Sequence, residues 1–369
     1  MSGTKVYTDG RTLSHNKTGI SNYLKEVINN SEKKFHLISP KKIDNPEGGN
    51  NLSYTCLRFP FRNHKQEFFW LDKILPTYLK LSGAKIMWGP RYYASKNISC
   101  KKVVTIHDLA YKIIDGVVRD EIKDYYHQMV TDCAKHVDHF ITVSETTKND
   151  LCEHYQISPD RVTSIYNGYS SYYDIPPTET EVKQTLEKYK LDSDFILFLG
   201  TLEPRKNLTR LIKAYNQSNL AKNNVKLCIA GGKGWDYSEI VSEIEKANKE
   251  QTNIVRTGFV DDLSLKVLYY KCLYFTMPSL YEGFGIPILE GMACGAPVLT
   301  SNNSAMKEVF SESAYLVDPY STESIADGLE KMCDDTIRLD FKEKGKKIYQ
   351  QFSWKKTSKK HDSLFNSLA

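Results

Sequence analysis

The sequence predicts an α/β protein made of two doubly wound halves, and three observations point to this fold class. Apolar strand patterns alternate with helical patterns along most of the 369 residues, as expected for parallel sheets covered by helices. The chain is too long for one ordinary core, so two domains are expected. The alternation stops once, at the apolar and then proline-rich segment 172–179, and starts again after it. We therefore expect a linker there, between two similar halves.

Seven strands are expected in the first half. They are predicted at Lys5–Thr8, Phe35–Ile38, Tyr54–Leu57, Ile86–Trp88, Lys102–Ile106, His139–Val143 and Thr163–Tyr166, with a helix at Glu121–His136. The fifth strand has the composition of a buried strand and ends at His107-Asp108, and the seventh ends at the turn signal Asn167-Gly168. Residues 1–7 contain no apolar signal core, so the first strand is expected to follow directly.

The second half repeats this alternation. Its strands are predicted at Phe195–Leu199, Lys226–Ala230, Ile254–Thr257, Tyr274–Met277, Val298–Thr300 and Ala314–Val317, and its helices include Asn207–Asn216, Ser238–Lys249 and Ser264–Lys271. In open parallel sheets, ligands bind outside the carboxyl ends of the strands. The motifs described below follow predicted strands, so they are expected at that edge.

Composition narrows the function classes. Hydrophobic content is 40% and charged content 26%, as in ordinary globular proteins, and no apolar run is long enough for a transmembrane helix. The net charge of +5 favours anionic substrates or membrane surfaces, but no dense basic stripe or nucleic-acid module is present. Eight cysteines without a Cys-x-x-Cys pair indicate buried thiols in a reducing compartment. We therefore expect a cytoplasmic protein that does not bind nucleic acid.

The most informative segment is 278–295, in which Glu282 and Glu290 stand eight positions apart. Pro287 is suited to the first turn of a helix, and Gly295 to its end. A helix N-terminus attracts phosphate, and carboxylates accept hydrogen bonds from hydroxyl groups. A nucleotide sugar offers both chemical groups. The alternative is a surface loop followed by a buried helix that carries two glutamates by chance.

A second segment, Gly200–Asn207, follows a predicted strand and contains Arg205 and Lys206 side by side. Lysine supplies a point charge and arginine a bidentate fork, and the two together suit a pyrophosphate. They could instead be two solvated charges at the start of a helix. Because cations oppose the dipole at a helix N-terminus, we expect an anion beside them.

Other patterns carry weaker signals. The glycine run 231–234 could be a phosphate loop, but it lacks the dinucleotide and P-loop signatures. We interpret it as a turn beneath a nucleotide, with Lys233 as a secondary candidate. Asp192 and Asp194 form the one Asp-x-Asp of the chain and are expected in a solvated turn. No metal site is predicted.

The block around Glu282 and Glu290 resembles the E-x7-E motif of the retaining glycosyltransferases of family 4. Lys206 aligns with that family's phosphate-binding lysine, whereas Thr201 occupies the position where many members have an arginine, and Arg205 is a candidate to replace it. His107 matches a histidine that lies beside the transferred sugar in the family. It could also be a satisfied core histidine.

The N-terminal segment resembles the family's D-x-R…T-G-I-G-R-Y pattern. It contains Asp9, Arg11 and Thr18-Gly19-Ile20, but Ser21 and Asn22 replace the usual Gly-Arg. The resemblance implies that Gly19 allows close approach of the donor.

The resemblance covers nearly the whole chain and implies the GT-B architecture, two Rossmann-like domains facing a central cleft. The implied acceptor-side domain is 1–174, the nucleotide-sugar domain is 175–345, and 346–369 is a helix crossing back to the first domain. The segment from Lys355 to Lys360 also fits a basic, amphipathic membrane-surface helix. These two interpretations are compatible.

The resemblance also implies the activity and the roles of residues. The enzyme would be a metal-independent, retaining hexosyltransferase without a cofactor other than its donor, for which we favour GDP-mannose. Its acceptor would be a glycan, a glycolipid or a protein-linked glycan, and peripheral membrane contact and a homodimer stay open. The implied catalytic residues are Glu282, His107, Lys206 and Arg205, and the implied donor-binding residues are Gly19, Glu290, Gly283, Phe284, Gly285, Ile286, Gly258 and Phe259.

Three other functions are compatible with the same motifs. A GT-B sugar-nucleotide epimerase, a phosphorylase or a non-catalytic nucleotide-sugar-binding protein would use a similar site. A glycoside hydrolase could use two carboxylates but would not need the adjacent cations Arg205 and Lys206.

Overall fold

The computed structural model describes residues 4–14, 19–43, 51–235, 237–250 and 253–369. The chain folds as two compact units. Unit 1 comprises Met1–Leu109, Asp120–Gly168 and Phe352–Ala369, and unit 2 comprises Ala110–Arg119 and Tyr169–Gln351. Each unit is built around one parallel sheet, as the alternation of strands and helices predicts. Within the described ranges, no helix has both the length and the apolar character needed to cross a bilayer.

The sheet of unit 1 contains seven strands in the described residues. They are β1 (Val6–Asp9), β2 (Phe35–Ser39), β3 (Leu52–Cys56), β4 (Ile86–Gly89), β5 (Lys101–Ile106), β6 (His139–Thr142) and β7 (Val162–Ser164). Their order is β3-β2-β1-β4-β5-β6-β7, and every pair is parallel. The strand order reverses beside β1, which is where open α/β sheets bind ligands.

The sheet of unit 2 contains six strands in the described residues. They are β8 (Phe195–Leu199), β9 (Lys226–Ala230), β10 (Ile254–Gly258), β11 (Phe275–Met277), β12 (Val298–Ser301) and β13 (Tyr315–Val317). Their order is β10-β9-β8-β11-β12-β13, again with every pair parallel. The strand order reverses beside β8, so Gly200–Asn207 begins at the switch point of this sheet.

Helices cover the sheets. In chain order they are α1 (Gly19–Asn29), α2 (His64–Phe69), α3 (Leu75–Leu81), α4 (Ala110–Ile113), α5 (Asp120–His136), α6 (Glu145–Tyr155), α7 (Glu179–Tyr189), α8 (Leu208–Gln217), α9 (Ser238–Glu250), α10 (Asp262–Lys271), α11 (Ile286–Ala293), α12 (Ser304–Phe310), α13 (Thr322–Lys331), α14 (Asp335–Tyr349) and α15 (Trp354–Leu368). A π-helical turn, Trp70–Ile74, separates α2 from α3, and short 3-10 turns include Ser171–Asp174 and Pro204–Lys206.

The core of unit 1 includes the C-terminal helix. α15 packs against α1, and its Trp354, His361 and Phe365 are buried. The hydroxyl of Tyr23 in α1 lies 2.8 Å from Nε2 of His361. The basic C-terminal segment therefore buries its apolar face inside unit 1.

All predicted strands are present, with ends shifted by a few residues, and the doubly wound α/β fold class is confirmed. The largest difference at the chain end is the break between α14 and α15. Ser353 caps α15 by accepting a hydrogen bond from Lys356 N, which separates two helices where the sequence suggested one helical region. The predicted linker contains the 3-10 turn Ser171–Asp174, and a capping box of Thr178 and Glu181 then starts α7.

The predicted domain boundaries fell at residues 174 and 345. The two compact units change at 168/169 and 351/352, and residues 110–119 belong to unit 2.

Candidate active site

The loop that carries Glu282 ends in a glycine that starts α11. Gly285 has a φ of 105° and is the N-cap of this helix, which has no side-chain cap. A Cβ at this position would lie 3.1 Å from the Phe310 ring and 3.3 Å from the Ile288 side chain. Both the backbone conformation and the space therefore favour glycine. Pro287 lies in the first turn and Gly295, with a φ of 80°, follows the end of the helix, as the sequence predicts.

The turn after β8 is held against this loop. Asn207 has a φ of 60° and starts α8, and its side-chain amide donates to the carbonyls of Pro278 at 2.9 Å and Pro319 at 2.7 Å. The backbone N–H of Leu280 donates to the carbonyl of Arg205 at 2.9 Å. These bonds fix the two predicted motifs to each other within unit 2.

Glu282 lies between the two predicted phosphate-binding cations. Its Oε2 accepts from Nη1 of Arg205 at 2.7 Å, and its Oε1 accepts from Nζ of Lys206 at 2.7 Å. Arg205 also donates to the carbonyl of Tyr281 at 3.0 Å and to Oε1 of Glu203 at 2.8 Å. The anion that the sequence led us to expect beside these cations is therefore present within the protein, as Glu282 and Glu203.

The ion pairs determine the charge state of Glu282. Burial alone would raise the pKa of this carboxyl, but the charges of Arg205 and Lys206 and their hydrogen bonds lower it to about 2. The side chain is therefore ionised at neutral pH. An ionised carboxylate can accept hydrogen bonds from sugar hydroxyls but has no proton to donate.

Glu290 has a different environment, one turn into α11. Burial, together with the negative charge of Asp262, raises its pKa to about 8. Its electrostatic neighbours also include Tyr173 and Tyr269, whose rings are 6.0 Å apart in an edge-to-face arrangement. The two glutamates of the motif therefore differ in protonation state at neutral pH, a difference that their spacing does not reveal.

The end of β10 contributes an exposed aromatic side chain. Gly258 has a φ of 71°, and a Cβ there would meet no atom within 4 Å. Phe259, which follows it, is 76% exposed. The family resemblance implies that both residues contact the donor.

The glycine run 231–234 is explained by backbone packing. A Cβ on Gly231 would lie 2.0 Å from the carbonyl oxygen of Gly200, and one on Gly234 would lie 2.4 Å from that of Leu202. Lys233 extends over the ring of Tyr237, with Nζ 5.4 Å from the ring centroid. The run lets the chain after β9 pass alongside the chain after β8, a role that requires no phosphate.

In unit 1, His107 follows β5. Its Nε2 lies 2.8 Å from the carbonyl oxygen of Pro90, and because a carbonyl can only accept, this nitrogen carries a hydrogen. Burial lowers the pKa of His107 to about 4, and the Arg91 charge adds to this effect. At neutral pH the ring is therefore the Nε2–H tautomer, with Nδ1 as a hydrogen-bond acceptor.

The N-terminal motif forms a buried ion-pair network. Nε of Arg11 donates to Oδ2 of Asp9 at 2.8 Å, and its Nη1 pairs with Glu67. Glu67 also accepts from the hydroxyl of Tyr125 at 3.1 Å. Asp9 and Arg11 therefore stabilise each other at the end of β1. Gly19 begins α1, and Thr18 lies outside the described residues.

The sequence reasoning missed two neighbours of His107. The ring of Tyr23 meets the His107 ring edge to face at a centroid distance of 4.8 Å. The second neighbour is Arg91, whose charge helps to lower the pKa of His107. Nη2 of Arg91 donates to the hydroxyl of Tyr126 at 3.0 Å. A possible signal was the position of Arg91 directly after the Gly89-Pro90 turn that ends β4.

In unit 2, the Asp-x-Asp motif precedes β8, whereas Gly200–Asn207 follows this strand. Asp192 pairs with Lys226, and its carboxylate is largely exposed, as expected for a solvated turn. Among the described residues, no group of three or more His, Cys, Asp or Glu side chains has an arrangement suited to a metal ion. All eight cysteines are free thiols.

Two family models each match one part of this chain. Residues 180–348 match the family model described as glycosyl transferases group 1, and residues 19–171 match the model described as glycosyltransferase family 4. O-antigen chain mannosyltransferase B of Escherichia coli is 30% identical over 273 residues, which cover 73% of this chain and 71% of that protein. The chain belongs to glycosyltransferase family 4. The resemblance noted in the sequence is thereby confirmed.

Other members and a solved structure extend the comparison. The serotype-specific mannosyltransferase WbdA of Escherichia coli is 28% identical to this glycosyltransferase over 268 residues, 71% of this chain but 33% of WbdA. The chain thus spans about a third of that relative. A glycosyltransferase from Rickettsia africae has the same fold, with a TM-score of 0.78 at 18% identity over 100% of this chain and 99% of that one.

Proposed function

We propose that this family 4 enzyme is a metal-independent, retaining hexosyltransferase that transfers mannose from GDP-mannose to a glycan acceptor. The observation that carries the proposal is the Arg205–Glu282–Lys206 cluster beside the N-terminus of α11. It combines two cations, a hydroxyl-accepting carboxylate and a helix N-terminus, which are the groups that a sugar–diphosphate junction needs.

We propose a role for each residue of the cluster. Cleavage of the sugar–phosphate bond develops negative charge on the leaving diphosphate, and Lys206, Arg205 and the N-terminus of α11 would stabilise it. Glu282, ionised at neutral pH, would accept hydrogen bonds from the sugar. The backbone of Gly283, Phe284, Gly285 and Ile286 would approach the phosphates.

Three further residues would complete donor binding. Glu290 would bind ribose hydroxyls, Phe259 would contact the base, and Gly258 would permit its approach. His107 keeps the role that the family resemblance implies, a contact with the transferred sugar, for which its Nδ1 acceptor is suited. In this proposal, Gly19 allows the donor to approach the backbone.

Metal independence is proposed because the cationic side chains can neutralise the diphosphate without a divalent ion. The Asp-x-Asp motif that other folds use with metal is tied to Lys226 at the surface. We propose retention of the donor's anomeric configuration because the chain carries the E-x7-E motif of retaining glycosyltransferases.

Mannose is favoured by the names of relatives. Besides O-antigen chain mannosyltransferase B and WbdA, the O-antigen chain mannosyltransferase RfbU of Salmonella typhimurium is 26% identical over 246 residues. We therefore propose a cytoplasmic enzyme of surface-polysaccharide synthesis, peripheral to a membrane, with a glycan on a lipid or protein carrier as acceptor.

A donor screen tests the proposal. Calorimetry with GDP-, UDP- and ADP-sugars should show the tightest binding for GDP-mannose, and release of GDP with an acceptor should continue in EDTA. Conversion of the sugar without transfer would indicate an epimerase, a requirement for inorganic phosphate would indicate a phosphorylase, and binding without turnover a non-catalytic protein. Loss of activity in EDTA that manganese restores would overturn metal independence, and an inverted anomeric centre by NMR would overturn retention.

A further inference from the structure

The C-terminal helix α15 presents two faces with different chemistry. One face is buried: Trp354, His361 and Phe365 lie in the core of unit 1. The hydroxyl of Ser358 donates to the carbonyl of Val27 at 3.0 Å, and that of Thr357 donates to the carbonyl of Tyr166 at 2.8 Å. Because this face is used inside the protein, the helix cannot insert it into a bilayer without leaving unit 1. Any membrane contact of α15 must use the other face.

The other face of α15 forms one wall of a groove with a volume of about 680 Å³. The second wall is the edge strand β7. The lining residues are Thr163, Ser164, Lys356, Lys359, Lys360, Ser363, Leu364 and Ser367. The six residues from α15 recur with helical spacing, each having another of the set three or four positions away, so they lie on one side of the helix. We call this feature the lysine groove.

The lysine groove is positively charged. Its eight lining residues include three lysines and no acid. The one acidic residue of α15, Asp362, is engaged elsewhere: its Oδ2 accepts from the backbone N–H of Glu32 at 2.9 Å. Lys356 lies in the first turn of α15, where a cation opposes the helix dipole. An anion in the groove would offset both the clustered charge and this dipole.

Each lysine ammonium carries three N–H donors, more than one neighbour uses. The hydroxyls of Ser363 and Ser367 donate to carbonyls of their own helix, at 3.0 Å and 2.8 Å. Ser164 donates to the carbonyl of Ser144 at 3.2 Å. The lysine stems and Leu364 provide apolar surface between these groups. Among the described residues, no aromatic side chain lines the groove, although Nζ of Lys360 lies 5.9 Å from the centroid of the Tyr166 ring. The groove thus lacks the row of aromatic side chains typical of nucleic-acid sites.

We propose that the lysine groove docks this chain on a membrane by binding the phosphate headgroups of anionic phospholipids. The clustered ammonium groups match the charge of the headgroups, and the volume accommodates a phosphate with its glycerol or sugar substituent. The packing of α15 against α1 fixes the backbone positions from which the three lysines extend. Docking is then electrostatic and reversible, with no insertion of the helix. The inference concerns unit 1 only and does not depend on the donor or acceptor assigned to the enzyme.

Vesicle binding tests the proposal. The full chain is sedimented with phosphatidylcholine vesicles that contain or lack phosphatidylglycerol, at low and at physiological salt. We expect binding only with phosphatidylglycerol and weaker binding as salt increases. The triple variant K356Q/K359Q/K360Q should bind about 100-fold more weakly. Wild-type protein that binds both kinds of vesicle equally, or neither, would overturn the proposal.

A matched control separates the groove from net charge. The triple variant K344Q/K346Q/K347Q removes the same charge from exposed positions of α14 and should bind vesicles nearly as wild type does. Equal losses in the two triple variants would mean that overall charge, and not the groove, causes binding. Calorimetry with soluble glycerol phosphate separates the sources of phosphate: affinity equal to that for vesicles would replace the membrane with a soluble anion.

Two further measurements keep the test decisive. GDP binding to both triple variants should equal that of wild type, so a failure of the donor assignment is visible independently of vesicle binding. If K356Q/K359Q/K360Q does not fold, the single variant Ser363→Glu replaces it. This variant places a negative charge at an exposed position of the groove. It should also weaken vesicle binding, and unchanged binding in this folded variant would count against the groove.

Discussion

The ammonium of Lys206 lies 2.7 Å from Oε1 of Glu282, while the guanidinium of Arg205 lies 2.7 Å from Oε2 of the same carboxylate. One acid therefore pairs with Lys206, which aligns with the family's phosphate-binding lysine, and with Arg205, which is the candidate to replace the arginine absent at position 201. A diphosphate that binds Lys206 must compete with Glu282 for the same donors. Under the proposed function, Glu282 would weaken phosphate binding by holding these cations, and it would strengthen sugar binding by accepting hydrogen bonds from hydroxyl groups.

Glu282→Gln should separate these effects. Removing the carboxylate's charge releases Lys206 and Arg205 for phosphate, so GDP should bind about tenfold more tightly. The amide can still bind hydroxyls, but more weakly than a carboxylate, so turnover of GDP-mannose should fall about tenfold or more without being abolished. Calorimetry with GDP and initial rates of GDP release measure the two quantities.

Glu203→Gln is the matched control for this variant. Glu203 pairs with Arg205 at 2.8 Å, and Lys206 keeps its bond to Glu282. GDP affinity should change less in this variant than in Glu282→Gln. Weaker GDP binding by Glu282→Gln would show that the carboxylate positions the cations for phosphate and does not compete with it.

Glu290 should make stability depend on pH. Its folded pKa of about 8 exceeds the reference value of 4.5, so between these values the unfolded state loses its proton first. The native state then binds more protons, and this group lowers stability progressively as pH rises from 4.5 to 8. The shift sets a ceiling of about 5 kcal/mol on the cost. Glu290→Gln should therefore melt at a higher temperature than wild type at pH 8.

The advantage of Glu290→Gln should shrink as the pH falls toward 4.5, because both proteins then carry an uncharged side chain. Thermal unfolding followed at several pH values measures it. Glu239→Gln, at an exposed position of α9, is the control and should not show this dependence. The same Glu290→Gln advantage at every pH would mean that packing, and not ionisation, causes it.

The sequence predicts the strands of this protein well because they are buried on both faces by helices. Such strands have a continuous apolar composition and are bounded by Gly, Pro or Asn. Phe195–Leu199 and Lys226–Ala230 are predicted to the residue. The partly exposed strand Leu52–Cys56 begins two residues and ends one residue before its prediction, since its burial pattern gives a weaker signal.

Features that depend on contacts between distant residues could not be predicted. The ion pair of Lys206 and Glu282 joins residues 76 positions apart, and neither motif shows that the other supplies its counter-ion. The glycines at 231 and 234 are required by the neighbouring chain segment after β8, not by a ligand motif. The raised pKa of Glu290 comes from burial and from Asp262 in another helix.

Phe259→Ala should weaken GDP binding without destabilising the fold. The side chain is 76% exposed, so its removal creates no core cavity, whereas aromatic stacking on a base contributes about 1–3 kcal/mol. We expect GDP affinity to fall roughly 5- to 100-fold and the melting temperature to stay within a degree or two. Phe69→Ala, at a site 51% exposed in unit 1, is the control and should leave GDP affinity unchanged. Equal GDP affinities for wild type and Phe259→Ala would remove this residue from the base site.

His107 allows its two ring nitrogens to be tested separately. Glutamine can place its amide near the position of Nε2 and keep the bond to the carbonyl of Pro90, which spans 2.8 Å in the wild type. Asparagine can instead place its oxygen near the position of Nδ1. If Nδ1 accepts a sugar hydroxyl, His107→Gln should keep the melting temperature but lose most activity. His107→Asn should retain more activity and lose about 1–3 kcal/mol of stability, because the Pro90 carbonyl is left without its donor.

The pH profile gives an independent check on the same assignment. With a pKa of about 4, His107 stays neutral through the physiological range, and its Nδ1 accepts a hydrogen bond throughout. Protonation of His107 should therefore not lower the rate of GDP release from GDP-mannose between pH 5.5 and 7. The decrease in rate that its protonation causes should instead occur near pH 4. A limb near pH 6.5 that disappears in His107→Asn would mean that the ring titrates normally. Greater activity in His107→Gln than in His107→Asn would assign the sugar contact to Nε2, and the bond to Pro90 would then have to break when the donor binds.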